Sequence, residues 1–470
     1  MSDWLREGYL WVSSELLTHL GFLLALVFLA NLLREKRSPS STIAWLLVIL
    51  LLPYLGVPLY LMFGGRKMVP RARQKPTINE PPPDRQLEAR GGGTERLLAS
   101  YGIPPAREAN RIELVTSGVD AYRRLLAMID EATSRIEITT YILGWDAGSR
   151  PLIDRLADRA REGIAVRILI DDVGSWRLPR RKLGELTRAG AQVAFFMPMF
   201  HVPMRGRTNL RNHRKLIVVD GRTCLTGGMN LALPYMGPPG SGQFWRDLSV
   251  VIEGPAVADL HAVFASDWRF TTRSDPDPIP VDDDPPMPGP MQQARAQVVP
   301  SGPDVAGDPL YEALLAQIFA ARERIWIITP YFVPDEMLAR GLSLAARRGV
   351  DVRLIVPIRS NHPTADLART SYLRDLHNAG GRVLLYTPEM LHAKVVIFDD
   401  QLAIVGSANM DMRSLFLNYE LSLFVWSPDE VARLAAWAKG LMAHTRRELP
   451  RPSWPAEIAE NVVRLLSPLL

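Results

Sequence analysis

Residues 211–230 read RNHRKLIVVDGRTCLTGGMN, and residues 391–414 read LHAKVVIFDDQLAIVGSANMDMRS. Each contains His, one residue, Lys, four residues and Asp: His213, Lys215 and Asp220, then His392, Lys394 and Asp399. Each runs into a short aliphatic stretch, LIVV or VVIF, with the composition of a buried strand. On an extended chain residues two apart face the same way, so His213 projects with Lys215 and His392 with Lys394. A small turn and an Asn follow both: Gly227, Gly228 and Asn230, then Gly406, Ser407 and Asn409. Gly and Ser allow close backbone approach to a ligand, and Asn supplies an amide donor.

The repetition extends upstream. RIEITTYILGWD (135–146) answers to RIWIITPYFVPD (324–335), and REGIAVRILIDD (161–172) to RRGVDVRLIVPI (347–358). RAGAQVAFFMP (188–198) answers to NAGGRVLLYTP (378–388). Between them PLIDRLADRAREG and MLARGLSLAARRG carry apolar residues at helical spacing and end in Gly. Each half therefore reads strand, helix, strand, helix, strand, followed by the polar-aliphatic strand. That alternation predicts an α/β fold of two similar domains, with mixed sheets flanked by helices and related by a pseudo-two-fold.

Outside the repeat the chain reads differently. Residues 16–33 (LLTHLGFLLALVFLANLL) and 43–63 (IAWLLVILLLPYLGVPLYLMF) carry no formal charge. A helix needs about 20 apolar residues to cross a bilayer, so the pair predicts a transmembrane helical hairpin over residues 1–65. Asp3 and Glu7 ahead of the first run, and the second run behind it, argue against a cleaved signal peptide. Arg66, Lys67, Arg71, Arg73 and Lys75 outnumber Arg34, Lys36 and Arg37 in the joint, which places the large C-terminal region in the cytoplasm. Pro53 and Pro58 would kink the second segment, and His19 near one end of the first packs on its partner or reaches the interface. Residues 66–109 form a Pro/Gly-broken linker, 110–273 the first domain, 274–293 a Pro/Asp-rich linker and 294–470 the second domain. Asp282, Asp283 and Asp284 in the second linker read as solvated acids.

A chain of 470 residues with 47 % hydrophobic residues suits two packed domains, and its net charge of +5 is too mild to indicate nucleic acid. Cys224 is the only cysteine, which excludes an intrachain disulfide.

If the halves pair about the pseudo-dyad, one pocket holds two His, two Lys and two Asn. Ammonium and amide groups neutralise non-bridging phosphate oxygens, one His attacks phosphorus, and the other protonates the leaving oxygen. Two fixed Lys make a divalent metal or other cofactor unnecessary, and cationic neighbours disfavour His213 and His392 as metal ligands. Asp247 in FWRDLSV and Glu420 in LNYELSL occupy matching places and are candidates to orient the imidazoles. Asp220 and Asp399, at the turn after each strand, complete the pattern but read as structural. His201 and His362 do not recur between halves and read as structural, as do Asp171 and Asp172.

At these residues the sequence resembles the phospholipase D superfamily, whose hallmark is two copies of His-x-Lys-x4-Asp. Both copies match, and the second includes the continuation GSANMDMRS. The paired apolar segments, RNHRK and SLFLNYELSL narrow the resemblance to membrane-anchored bacterial cardiolipin synthases. That resemblance implies a catalytic set of His213, Lys215, Asp220, His392, Lys394 and Asp399, with His213 the nucleophile and His392 the general acid/base. It further implies transfer of a phosphatidyl group between two phosphatidylglycerol molecules at the inner membrane, in contact with anionic lipids. A hydrolytic phospholipase D using water is the alternative; a nuclease and an inactive membrane scaffold are the others. The C-terminal AEIAENVVRLLSPLL and the basic RLPRRK near Arg180 suit either lipid contact or ordinary domain surface.

Overall fold

The computed structural model describes residues 39–52, 75–79, 92–198, 210–276 and 293–449, with scattered positions between 23 and 60 and between 453 and 460. The chain divides into two compact units, and the larger, Arg73–His201 with Leu210–Leu470, carries both His-Lys segments. Of the apolar runs, 16–33 lies outside the described residues except at Leu23 and Leu26, and the helix Pro39–Leu51 covers part of 43–63. Among the described residues no helix is long and apolar enough to cross a membrane. His19, His201 and Asp282–Asp284 also lie outside the described residues.

Seven strands build the first half: β1 (Arg107–Val115), β2 (Arg135–Thr140), β3 (Ala165–Asp171), β4 (Gln192–Phe196), β5 (Leu216–Val219), β6 (Thr223–Gly227) and β7 (Ser249–Glu253). The second half supplies β8 (Ala294–Ser301), β9 (Arg324–Ile328), β10 (Phe332–Val333), β11 (Asp351–Pro357), β12 (Arg382–Tyr386), β13 (Val395–Phe398), β14 (Leu402–Gly406), β15 (Met410–Asp411), β16 (Glu420–Val425) and β17 (Thr445–Arg446). Read outward from the junction, the first half runs β1-β7-β6-β5-β2-β3-β4 and the second β8-β16-β14-β13-β9-β11-β12, the same order twice. β2, β3 and β4 are parallel, as are β9, β11 and β12, whereas β5 and β13 run antiparallel to their neighbours. Each half is thus a mixed α/β sheet.

The two sheets do not remain separate. β1 pairs with β8 through Arg107 with Ala296 and Asn110 with Ala294, so one fifteen-stranded ladder results. Asn110 stitches the junction, its Nδ2 donating to Ala294 O at 3.2 Å and its Oδ1 accepting from Ala256 N at 2.9 Å.

Helices cover both faces, which explains why LIVV and VVIF are solid apolar runs: every residue of β5 and β13 is buried. In the helix Ser149–Arg161, Leu152, Ile153, Leu156, Ala157 and Ala160 form the buried stripe. In Glu336–Arg347 the stripe is Leu338, Leu342 and Ala345, and Asp335 caps the start by accepting from Leu338 N at 3.1 Å. Both helices stop at a left-handed residue that only Gly adopts without strain, Gly163 at φ +93° and Gly349 at φ +92°. The helices Ala256–Thr272 and Pro428–Met442 share one core with β-residues of both halves, including Val218, Val250, Val395 and Leu423. At about 1.5–3 kcal/mol for each large aliphatic side chain buried, that shared core ties the halves together.

Candidate active site

Both His-Lys pairs lie on the extended entry to a central strand, His213 and Lys215 before β5 and His392 and Lys394 before β13. The main chain there crosses from one half to the other. His213 N donates to Tyr419 O at 2.9 Å, and Tyr419 N donates to Arg211 O at 2.9 Å. The matching exchange has His392 N donating to Arg246 O at 2.7 Å, and Arg246 N to Met390 O at 2.8 Å. Glu420 and Asp247 are the next residues after Tyr419 and Arg246, so these bridges hand each acid to the opposite half's imidazole. His213 Nδ1 lies 3.0 and 2.9 Å from the two carboxylate oxygens of Glu420. His392 Nδ1 lies 2.7 Å from Asp247 Oδ2. Holding Nδ1 leaves Nε2 of each ring as the nitrogen not bound to its carboxylate.

All six groups are buried. Lys215 Nζ donates to His213 O at 2.7 Å, and Lys394 Nζ donates to His392 O. Lys394 Nζ also packs against its His ring, 2.7 Å from Nδ1 and 3.1 Å from Nε2. Burial, opposed by Glu420 and assisted by Lys215, lowers His213 from 6.5 to about 4. Burial and then Lys394 lower His392 to about 3 against the pull of Asp247. Both rings are therefore neutral near pH 7. Burial likewise brings Lys215 down to about 7 and Lys394 to about 8, although Glu420 and Asp247 favour their charged forms. Burial pushes Glu420 up, but His213, Lys215 and Ser407 outweigh it and hold the acid at about 2. Asp247, pushed up by burial, is likewise held below its ordinary value by Lys394 and His392.

The small residues after each strand serve the acids. A Cβ on Gly228 would meet Asp247 Oδ1 at 2.1 Å, so only Gly lets that carboxylate reach His392. At the matching place Ser407 Oγ donates to Glu420 Oε2, and Asn418 Nδ2 adds a bond to Oε1 at 3.3 Å. Asn230 Oδ1 accepts from Ile142 N at 3.2 Å. Asn409 is buried beside Lys394 in a pocket lined by both, and its Oδ1 has no partner among the described residues.

Asp220 and Asp399 stand apart from the imidazoles, at the far end of β5 and β13. Asp220 accepts from the backbone N of Thr133, Ser134 and Arg135 at 2.7–2.9 Å, and Asp399 from Arg322, Glu323 and Arg324 at 2.8–3.1 Å. Each pins the loop leading into β2 or β9. Asp171 caps its own turn at Val173 and Gly174, but its Oδ2 also accepts from Asn212 N at 2.8 Å and so holds the residue before His213. Asp172 pairs with Arg180. His362 packs edge-on against Tyr331, with ring centres 5.3 Å apart. In the C-terminal tail, Glu460 pairs with Arg374 at 2.5 Å, which puts that residue on the domain surface helix Pro363–Asn378.

The sequence reading missed the aromatic walls. Tyr141 stands edge-on to His213 at 4.8 Å, Tyr235 edge-on to His392 at 4.9 Å, and Trp245 tilts against His392 at 5.5 Å. Tyr141 has a repeat partner in Tyr331, but Tyr331 donates instead to Asn361 Oδ1. Tyr235 and Trp245 come from the stretch between Asn230 and Asp247, which is longer than its counterpart between Asn409 and Glu420; that asymmetry was the available signal. Among the described residues no group of three or more His, Cys, Asp or Glu is arranged to hold a metal.

Two family descriptions match the chain. "Cardiolipin synthase, PLD-like domain" covers residues 125–268 and 314–442, and "Phospholipase D-nuclease N-terminal" covers 23–65. The chain is 34 % identical over 468 residues to a cardiolipin synthase of Geobacillus kaustophilus, covering 95 % of this chain and 92 % of that one. It is 33 % identical over 483 residues to the major cardiolipin synthase of Bacillus subtilis, covering 95 % and 99 %. The solved phosphatidylserine synthase of Haemophilus influenzae shares the fold, with a TM-score of 0.63 at 16 % identity over 81 % of this chain and 100 % of that one.

Proposed function

The chain belongs to the phospholipase D-like cardiolipin synthase family, and from that premise we propose how its two halves divide a phosphatidyl transfer. The overall reaction joins two phosphatidylglycerol molecules into cardiolipin and glycerol. In the first step Nε2 of His213 attacks the phosphorus of one phosphatidylglycerol. The bond from phosphorus to the glycerol headgroup oxygen breaks, and that oxygen takes a proton from His392. In the second step the headgroup hydroxyl of another phosphatidylglycerol gives its proton to His392 and attacks phosphorus, and the phosphorus–nitrogen bond breaks.

The crossed His–carboxylate pairs carry this reading: each imidazole is oriented by the other half's acid, so the two rings form one site. Lys394 Nζ lies 3.1 Å from Nε2 of His392, the nitrogen left free by Asp247, which favours His213 as the nucleophile. Neutral His213 has the lone pair that attack requires. Burial first and Lys394 second depress His392; a phosphate monoanion between Lys215 and Lys394 offsets the lysine's share and favours the protonated ring. Asn230, Asn409, Gly228 and Ser407 line or support this pocket, while Asp220 and Asp399 act through the loops they pin. The buried setting favours a lipid hydroxyl over water.

The same reading includes two membrane-crossing segments, 16–33 and 43–63, ahead of the lipid-processing domains at 110–273 and 294–470. Their lengths and the basic residues that follow support an inner-membrane hairpin with the catalytic region facing the cytoplasm. Phosphatidylglycerol is the partner, and a net charge of +5 offers little for nucleic acid.

The test uses purified full-length protein in phosphatidylglycerol vesicles without divalent metal, measuring cardiolipin, glycerol and phosphatidic acid. Cardiolipin and glycerol in equal amounts, with an acid-quenched phosphatidyl adduct on His213, are expected. An adduct on His392 reverses the two roles, and the absence of any adduct during turnover removes the covalent step.

A further inference from the structure

The two motifs differ at their middle residue, Arg214 in the first and Ala393 in the second. Ala393 is buried in the apolar core. Arg214 is buried as well, and its guanidinium enters a cluster with no equivalent among the described residues of the other half. Its Nη1 donates to Asp267 at 2.7 Å, its Nη2 to Asp304 at 3.0 Å, and its Nε to Glu420 O at 3.0 Å. Asp267 Oδ2 accepts from Asn212 Nδ2 at 2.9 Å, and Asn212 Oδ1 accepts from Arg214 N at 3.1 Å. The peptide carrying His213 and the carbonyl of its partner acid are thus fixed by one cluster.

The fourth charge comes from far away in sequence. Lys75 Nζ donates to Asp304 Oδ2 at 2.6 Å and to Asp267 Oδ1. The side chains of Lys75, Arg214, Asp267 and Asp304 are all wholly inaccessible. Ile78 N, three residues on, donates to Asp304 O at 3.1 Å and holds the arm in place. Two cations face two carboxylates, so the cluster is neutral only with Lys75 in it. Lys75 and Asp304 both lie outside the stretches matched by the family descriptions.

We propose that Lys75, from the arm ahead of the two halves, is a positioning residue for His213: it completes the buried four-charge cluster that fixes Arg214 and Asn212 on either side of that imidazole. Removing it leaves a buried carboxylate without its cation, a larger perturbation than loss of a surface pair. Arg214 then redistributes between two acids, and the His213 peptide moves with it. The proposal rests on His213 acting in the transfer, which His213→Ala tests separately; the Lys75 comparison tests only the clip.

The experiment compares full-length wild type, Lys75→Met, Lys75→Arg and the double variant Lys75→Met/Asp304→Asn in phosphatidylglycerol vesicles, below the melting temperature of each. Lys75→Met is expected to lower kcat at least tenfold with KM within threefold. The double variant, which restores one cation to one carboxylate, is expected to recover kcat to within threefold of wild type, and Lys75→Arg to lie between. A kcat for Lys75→Met within twofold of wild type, or a double variant no better than the single, overturns the proposal. If Lys75→Met does not fold, the double variant decides: folded and within threefold supports the clip, while unfolded or tenfold slower overturns it.

Discussion

Replacing Glu420 with Gln keeps the side chain's shape and an oxygen for His213 Nδ1, and removes only the charge. The carboxylate reaches Nδ1 with both oxygens, at 3.0 and 2.9 Å, and takes further bonds from Ser407 and Asn418. Burial alone raises this acid, yet its surroundings hold it at about 2 against an ordinary 4.5. Those surroundings favour the carboxylate in its place beside His213 and Lys215. In the proposed transfer the imidazole becomes cationic as Nε2 bonds to phosphorus, so its pairing with Glu420 strengthens in the transition state. Breaking a buried charge pair by removing one partner costs about 3 kcal/mol, which slows kcat by about a hundredfold. Glu420 also supports the ammonium form of Lys215, which stands at about 7, so KM for phosphatidylglycerol should rise as well. Initial rates of cardiolipin formation at pH 7, with a melting curve to confirm folding, measure both. A folded Glu420→Gln protein with kcat within threefold of wild type would refute the crossed acid–imidazole pairing as a catalytic feature.

Gly228→Ala places a Cβ 2.1 Å from Asp247 Oδ1 and must displace that carboxylate from His392. Cardiolipin formation should fall at least tenfold, and Asp247→Asn in the same background should cost little more; additive losses would separate the two residues. Acid should unfold the protein through its two imidazoles. Their folded values, about 4 for His213 and about 3 for His392, lie below the unfolded 6.5, so the unfolded chain binds protons first. The stability of holding them neutral is complete above about pH 6.5 and is lost as pH falls to about 4 and 3. Melting temperature should decline over that window, less steeply in His392→Gln; equal slopes would show that His392 does not take part.

The alternation of strand and helix signals was enough to predict two similar α/β halves, because helix C-termini at Gly163 and Gly349 and solid runs such as VVIF are local features. The gathering of the paired His and Lys with Asp247 and Glu420 was legible for a different reason: duplication writes the same residue pattern twice. The exchange of acids between halves was not legible. It depends on main-chain bridges between residues about 150–200 positions apart, Arg246 to Leu391 and Asn212 to Tyr419, whose polar atoms carry no sequence period. The joining of β1 to β8 was hidden likewise, since one Asn and a bulge produce it. Asp171 looked like local structure and is that, yet the same carboxylate reaches Asn212.

A two-fold repeat would make the imidazoles equivalent, but each departure from symmetry separates them. His213 has a glutamate reinforced by Ser407, a single aromatic wall in Tyr141 and a charged cluster beneath its peptide. His392 has an aspartate admitted by Gly228, a lysine against its nitrogens and two aromatic walls, Tyr235 and Trp245. Under the proposed division of roles, the nucleophile His213 must return to one position after every cycle, and rigid polar anchoring of its peptide serves that need. An acid/base must change its proton affinity as phosphate charge arrives and leaves, and a ring flanked by a lysine and aromatic faces responds to that charge. Because the acid of one half orients the ring of the other, neither half contains a complete site, and the shared core holds the two assignments together.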